Sequence, residues 1–570
     1  MCNTTENLSE SFFLKNHIAI THLKQRLSEK KLVLCLGAGF SRPLKIPNWE
    51  SLVKKIANDN RVKGTTVLEN ENLSLTTKIQ VLYETFKKNY KKSKKNKEFR
   101  KDTKVYSLLY DDIIREEWMK IVWKSLYSEY HNQLKKKKKK KERPEDYHVY
   151  LKEYIKIIEK SPITVNYNFD DVIERMFDDE RRENEVRKYE STSHPSMQFK
   201  NNKSVIYHPN GYIPYNEKNS IEGNFVFSEK SFQDQLIDTM SGRYNPLQYL
   251  FLNYTMLLTG LSLDDQTLRH MLRKNAILNP GHFHYFIYYI DPNKQEKIPS
   301  EEDMEAIRES YFETFNLVTL FLNQDEINQL ATYINPENDE TFNRKNLDYK
   351  LPSSYVFYIS GTPGTGKTSS LNQLTDYIIQ DEFQDRHRDD LYQSYKKLND
   401  KQKKELNSWI QNQFRIRNMH IHRERGNNSI QLIDRSSIDP ICFVDKNDKD
   451  AFPTRANELI QHYNNILEKG KVIVLEADSH ELFCRLNKRN PNNENPKELN
   501  YPEKDIKETL EKFGDLFPNS EFKHIDTTQK SLSMVVKEIA HEIIFGKYDE
   551  VDLIECLNNY VKKIENKTTK

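Results

Sequence analysis

The chain reads as two successive α/β domains, each built on a parallel sheet, and three features carry that expectation. Residues Leu32-Val33-Leu34-Cys35-Leu36 are an apolar run with the length and composition of a strand buried on both faces, and they run straight into Gly37-Ala38-Gly39 and Ser41. Further strand signals at Ile163–Phe169, Ser204–Tyr207, Asn224–Phe227 and Met256–Thr259 alternate with helical patterns, as a parallel sheet requires. A second such alternation begins at Tyr355, where a strand over 353–360 meets Gly361-Thr362-Pro363-Gly364-Thr365-Gly366-Lys367-Thr368, and it runs to about residue 545.

Taken in order, residues 16–30 read as a helix with Ile18, Ile20, Leu23 and Leu27 on one face, and a second helix follows the glycine turn near 49–57. From about 60 to 160 the chain is helical and heavily charged, with Lys91-Lys92-Ser93-Lys94-Lys95 and an unbroken lysine run at 135–141. Such runs are ordinarily solvated, so this stretch reads as a helical insertion apart from the working site. Residues 331–352 are polar and turn-rich and read as an interdomain linker between a domain at 1–330 and another at 353–570.

With 570 residues there is chain enough for two to four domains, and 32 Tyr and 28 Phe supply cores despite a mean hydropathy of −0.85. A net charge of +3 implies no overall nucleic-acid or membrane field. The five cysteines, Cys2, Cys35, Cys442, Cys484 and Cys556, form no C-x-x-C pair, which argues against a zinc site and against a disulfide framework. No signal pattern opens the chain and no apolar run reaches membrane-spanning length, so a reduced, cytoplasmic protein without a membrane partner is expected.

The first candidate site gathers at strand ends. Closely spaced glycines after a strand let a backbone approach a pyrophosphate. The strand from Pro162 ends in Asn166-Tyr167-Asn168-Phe169-Asp170-Asp171-Val172-Ile173-Glu174, polar where an open α/β sheet places its ligand crevice. Next come His208-Pro209-Asn210-Gly211 and then Gly260-Leu261-Ser262-Leu263-Asp264-Asp265, a strand-to-helix turn in which either aspartate can cap the helix. These stretches resemble, in the same order, the G-A-G-x-S, T-x-N-x-D, H-x-H-G and G-x-S-x-x-D motifs of the sirtuin family, and the second of them resembles more closely still the N-[YF]-D-D-[LIV]-[LIV]-E form in bacterial defence members. Ser228 to Phe232 also resembles a segment of that family.

The resemblance implies a Rossmann-like sheet that binds NAD through Gly37, Ala38, Gly39, Ser41, Asn166, Gly260 and Ser262. It implies that Asn168 orients the ribose or the attacking water, with Asp170 as acidic partner and Asn166 as the alternative match. The family's general-base histidine precedes the glycine, where this chain has Asn210; either His208 serves instead or that step is weakened. Protein-deacylating members carry a four-cysteine zinc module and P-D-F-R, whereas this chain lacks the cysteines and reads Pro47-Asn48-Trp49-Glu50, so hydrolysis of NAD to nicotinamide and ADP-ribose is favoured over deacylation.

The second candidate site is the G-x-x-x-x-G-K-T loop between a strand and a helical pattern starting at Ser369, the context a phosphate loop needs. Its backbone amides suit the phosphates of ATP or another nucleoside triphosphate, Lys367 the β and γ groups, and Thr368 a Mg²⁺ ion. Downstream, Asp434-Arg435-Ser436-Ser437-Ile438-Asp439-Pro440 resembles the D-R-[SG]-x-x-D-P turn of small nucleoside and nucleotide kinases. Residues 471–477 read as a further strand, and Phe522 to Thr528 resembles that family's last strand and base-side loop. The likeness implies that Asp434 assists Mg²⁺ or the acceptor hydroxyl while Arg435, Arg485 and Arg489 hold phosphates; an AAA-type switch ranks below it. The whole layout resembles sirtuin-like NAD hydrolases of antiphage defence, which implies control by a nucleotide, a homo-oligomer and a phage-derived trigger as partner. Two other readings stand beside it: a metabolic nucleoside or nucleotide kinase with an NAD- or ADP-ribose-sensing domain, and an NAD-dependent deacylase.

Overall fold

A computed structural model describes residues 3–92, 104–140, 149–180, 188–193, 203–216, 225–241, 245–294, 298–385, 398–444, 451–463, 467–489 and 502–568. They form two compact units, one made of 26–278 and 283–339, the other of 1–25, 279–282 and 340–570.

The first unit is built on seven strands: Leu32–Leu36 (β1), Ile163–Asn166 (β2), Tyr189–Thr192 (β3), Ser204–Tyr207 (β4), Thr255–Thr259 (β5), His284–Tyr289 (β6) and Leu317–Leu322 (β7). Their order is β3-β4-β2-β1-β5-β6-β7 and every pairing is parallel. All five residues of β1 are buried, because one face of the sheet packs on Phe251, Leu268 and Leu272 and the other is covered as well. The chain leaves β1 for β2 on one side and returns to β5 on the other. Leu36 is paired with Asn166 and with Thr259, so the carboxyl ends of β1, β2 and β5 finish level with one another at this switch point.

Several expectations change here. The strand expected over Ile163–Phe169 stops at Asn166, whose side chain accepts the Asn168 N–H and turns the chain away. The expected strand at Asn224–Phe227 is irregular over 225–227, where Phe225 and Phe227 pack on Phe169 instead of pairing in the sheet; Asn224 lies outside the described residues. β3, β6 and β7 were not anticipated. The segment expected as a linker is largely helical, with helices Gln324–Ile334 and Asp339–Asp348. Within it Asn335 is a cap, accepting the Glu337 N–H beneath Pro336, and the first helix is capped upstream by a reciprocal Asn323–Glu326 box. The expected insertion contains helices Thr65–Leu68, Leu75–Lys92, Lys104–Lys140 and Val149–Lys160; Lys94, Lys95 and Lys141 lie outside the described residues.

The second unit has five parallel strands, Tyr355–Gly361 (β8), Ile378–Gln380 (β9), Ile430–Asp434 (β10), Lys471–Glu476 (β11) and Lys523–Asp526 (β12), in the order β12-β11-β8-β10-β9. The fully buried β8 delivers the glycine loop, and the helix after it is short, Lys367–Leu371. Residues 1–25, expected in the first domain, belong to this unit, where the His17 ring stacks on Phe342 at 5.3 Å and its Nε2 meets Asn346 Oδ1 at 2.6 Å. Burial presses the His17 pKa down to about 4, against the Asn346 hydrogen bond, so the ring is neutral and structural.

Candidate active sites

In the first unit the turn after β1 lies directly on the turn after β5. The N–H of Gly37 donates to Thr259 O at 3.0 Å and that of Gly39 to Gly260 O at 2.8 Å. A Cβ on Gly37 would stand 2.6 Å from Gly260 O, and one on Gly39 2.7 Å from Gly260 Cα. The space gained by these glycines therefore admits Gly260, which refines the expectation that it admits a pyrophosphate. Gly260 itself has φ +69° and a Cβ there would meet Phe40 N at 2.3 Å. Gly260→Ala is expected to destabilise this unit by about 3 kcal/mol or more, read as an earlier urea transition.

Ala38 opens a short helix, Ala38–Ser41, that carries Ser41 inward. Asn168 Nδ2 donates to Ser41 Oγ at 3.2 Å, and Ser41 Oγ donates to Asp170 Oδ1 at 3.0 Å. Val172 N–H also donates to Asp170 Oδ1, at 3.2 Å, at the start of the helix Val172–Glu180. This chain of bonds fixes the Asn168 amide with its Oδ1 free. Asn168 Oδ1 and Asn166 Nδ2 are both buried without a hydrogen-bond partner among the described residues. A buried, unpaired acceptor and donor two residues apart fit a polar ligand at the strand ends.

Burial raises the Asp170 pKa to about 7, opposed by the Val172 and Ser41 hydrogen bonds. The folded chain then holds a proton that the unfolded chain releases above its ordinary value of 3.8. The associated stability is complete below that value and is lost as pH rises through about 7. Asp170→Asn keeps the oxygen that accepts both bonds and removes the titration. It is expected to match wild type near pH 4 and to exceed it near pH 8, by up to about 4 kcal/mol, in paired thermal melts.

His208 is fully buried, with Nε2 2.8 Å from Glu174 Oε1, Nδ1 3.3 Å from the Asn168 carbonyl oxygen, and its face 4.3 Å from the Tyr212 ring. Burial opposes ionisation of Glu174, but the His208 charge and the hydrogen bonds from His208 and Ser191 outweigh it, so the carboxyl is held below its ordinary range. Both ring nitrogens of His208 are thus engaged by protein acceptors, an arrangement that gives no support to His208 as the base for a ribose hydroxyl. At the position before Gly211, Asn210 Oδ1 accepts from Gln235 Nε2 at 2.9 Å. Ser262 bonds Asp264 locally, and of the two aspartates it is Asp265 that caps the helix Gln266–Leu278, through Leu268 N–H at 3.0 Å.

In the second unit Gly361, Gly364 and Gly366 all have positive φ, and a Cβ on Gly361 would stand 2.1 Å from Leu475 O. Lys367 Nζ donates to Gly361 O at 2.8 Å and Thr362 O at 2.7 Å. Burial, and then the Arg435 charge, depress its pKa. Thr368 Oγ1 donates to Asp434 Oδ2 at 2.7 Å, while Asp434 Oδ1 is buried without a partner among the described residues. An unpaired carboxylate oxygen beside a threonine hydroxyl fits a phosphate-bound Mg²⁺. Arg435, at φ +66°, pairs with Glu382 at 3.1 Å. Arg485 Nη2 donates to Thr527 O at 2.7 Å, and its Nη1 lies 3.4 Å from Gly364 O, which places it at the loop. Arg489 ends the same helix, Ser479–Arg489; its side chain is outside the described residues.

Sequence reading gives no role to Glu382 or Arg417, and quotes Asp439 without assigning it one. Asp439 Oδ1 accepts from Ser360 Oγ at 2.6 Å, and buried Arg417 donates to the Asp434 carbonyl at 2.7 Å. Asp439 stood within the quoted D-R-S-S-I-D-P turn; Arg417 lies on the helix Asp400–Glu424 with no local signal.

Residues 162–316 match the family model described as a SIR2-like domain, and residues 356–480 match one described as an AAA domain. Comparison with curated proteins gives no match. Among solved structures the chain is similar to deoxyadenosine kinase from M. mycoides with bound dATP, at 16% identity over 33% of this chain and 98% of that one, with a TM-score of 0.26. It is also similar to thymidylate kinase from Candida albicans, at 13% identity over 36% of this chain and 93% of that one, with a TM-score of 0.25. No helix among the described residues is long and apolar enough to cross a membrane. The chain joins a SIR2-like domain to a P-loop domain that matches the AAA description.

Proposed function

We propose that the SIR2-like unit hydrolyses NAD to nicotinamide and ADP-ribose, and that the P-loop unit binds a nucleoside triphosphate with Mg²⁺ and controls that hydrolysis. The observation that carries the reading is the Asn168–Ser41–Asp170 chain, which leaves Asn168 Oδ1 open at the switch point of the sheet. Loss of nicotinamide builds positive charge on the ribose. Residues that hold the ribose and a water in line lower that barrier by orientation. Asn168 Oδ1 accepts from a ribose hydroxyl or the attacking water, and Asn166 Nδ2 supplies a second polar contact. Glu174 and His208 hold the Asn168 carbonyl, and so the loop, in place.

In the P-loop unit Lys367 would neutralise phosphate charge, and Thr368 with Asp434 would hold a phosphate-bound Mg²⁺. Arg435 and Arg485 supply further phosphate contacts. Kinase-type phosphoryl transfer or pure sensing are both open to this arrangement. Depletion of NAD on a nucleotide cue fits a role in antiphage defence, with the protein acting as a cytoplasmic homo-oligomer. A second reading, in which the SIR2-like unit only senses NAD or ADP-ribose, draws on the commitment of both His208 nitrogens. Nicotinamide release from NAD by the purified full chain, with and without a nucleotide pool and Mg²⁺, decides between them. Release supports hydrolysis, and its absence under every condition leaves the sensing reading.

A further inference from the structure

The insertion was expected to stand apart from the working site, yet one of its side chains holds the site's two loops together. Tyr127, fully buried on the helix Lys104–Lys140, brings its hydroxyl 2.6 Å from Ile213 O and 3.1 Å from Asp171 Oδ1, and it accepts the Asp171 N–H at 3.1 Å. Asp171 follows Asp170 in the loop after β2; Ile213 lies in the loop after β4 that carries His208 and Asn210. The same two loops are tied again by Ile213 N–H to Phe169 O at 2.8 Å and by Tyr215 N–H to Asp171 Oδ2 at 2.9 Å.

Around this point the insertion helix closes on Tyr215. Trp123 Nε1 donates to Tyr215 O at 3.2 Å, His131 Nδ1 meets the Tyr215 hydroxyl, and the Tyr127 and Tyr130 rings stand edge-on to it at 5.3 and 5.6 Å. The Arg175 guanidinium lies 4.0 Å over the Tyr215 ring and 5.1 Å over that of Tyr130, and it comes from the helix that starts just after Asp170. Residues 123, 127, 130 and 131 share one helix face by their spacing. A surface insertion with no part in the site has no reason to bury a tyrosine hydroxyl between two site loops.

We propose that Tyr127 is a positioning residue for the SIR2-like site: the insertion helix, through that hydroxyl, fixes the Asn168–Asp171 loop against the loop of residues 208–215. This rests on the NAD reading for its chemistry, but not for its structural content, and the two are tested apart. Tyr127→Phe removes one oxygen and keeps the ring packing.

In the full-length variant, amide exchange at Ile213 and Tyr215 is expected to rise by about tenfold or more, while amides of β1 and β5 keep their protection. Nicotinamide release is expected to lose about 10- to 100-fold in kcat with KM for NAD unchanged, since a displaced loop costs orientation more than binding. Lys124→Ala, a solvent-facing neighbour on the same helix, changes neither reading. Unchanged exchange at 213 and 215 overturns the proposal, and so does a fall in kcat matched by an equal rise in KM. A wild type that releases no nicotinamide removes the hydrolase reading alone, and the exchange comparison still decides the role of Tyr127. Should Tyr127→Phe not fold, Trp123→Phe, which loses the donation to Tyr215 O and part of the ring contact with Tyr127 and Tyr215, carries the same exchange test.

Discussion

Asn168→Ala is expected to cut the proposed nicotinamide release by at least about 100-fold while leaving the fold and the affinity for ADP-ribose nearly intact. The truncation removes two things at once: the Nδ2 donor to Ser41 and the buried, open Oδ1. Ser41 keeps its donation to Asp170, so the short helix after β1 stays in place. A polar group that acts on a developing charge costs about 10²- to 10³-fold in kcat when removed, and the rate is expected to fall by at least that much. ADP-ribose, which lacks the reacting bond, is expected to bind within about tenfold of wild type, as uniform binding is largely kept. Asn166→Ala supplies the comparison. Its Oδ1 holds the Asn168 N–H and its Nδ2 is unpaired, so the loss there is expected to be smaller and shared between KM and kcat. Paired steady-state assays and calorimetry with ADP-ribose read both. Full activity in Asn168→Ala beside an inactive Asn166→Ala would assign the central role to Asn166, and full activity in both would remove it from this loop.

What the sequence made legible follows the range of the interactions involved. β1 and the phosphate loop were plain, because a buried apolar run ending in glycine writes its own local signal. β6, His284-Tyr285-Phe286-Ile287-Tyr288-Tyr289, was passed over: its polar tips and aromatic rings mask a strand whose identity comes from its partners β5 and β7. The stretch 331–352 reads as turn-rich yet is largely helical, since Asn335-Pro336 marks a helix start as readily as a loop. In the proposed site, Asn168, Asp170 and Ser41 are named by the resemblance to sirtuin motifs, and the structure bonds the three together. The commitment of His208 to Glu174, 34 residues away, was not legible, nor was the arrival of Tyr127 beside Asp171, 44 residues away. Motifs name the groups of a proposed site, but only tertiary contacts show which of their atoms remain open.

Lys367→Ala is expected to remove nucleoside triphosphate binding, and with it any response of nicotinamide release to nucleotide. The lysine is buried under the loop, where it donates to the Gly361 and Thr362 carbonyls. Burial and the nearby Arg435 disfavour its charge, against Asp434, Asp439 and Glu382, so an arriving triphosphate adds negative charge that favours the protonated lysine. Losing a charge-assisted contact of this kind is worth about 2 to 4 kcal/mol, a fall of roughly 30- to 1,000-fold in affinity for ATP with Mg²⁺. Chelating Mg²⁺ in wild type should weaken binding as well, because Thr368 and the open Asp434 Oδ1 then face the phosphates without an intervening cation. Calorimetry with ATP reads the binding, and nicotinamide release under the same conditions reads the control. Wild-type affinity in Lys367→Ala would remove the loop from nucleotide recognition. Lost affinity with nicotinamide release still answering to nucleotide would keep the loop as a site and break its link to hydrolysis. Control requires more than occupancy: the nucleotide must bind one state of the chain more tightly than another, and a shift from mostly off to mostly on takes about 10⁴-fold between them. A variant that loses up to about 10³-fold of affinity through Lys367 therefore bears directly on whether this loop alone can throw such a switch.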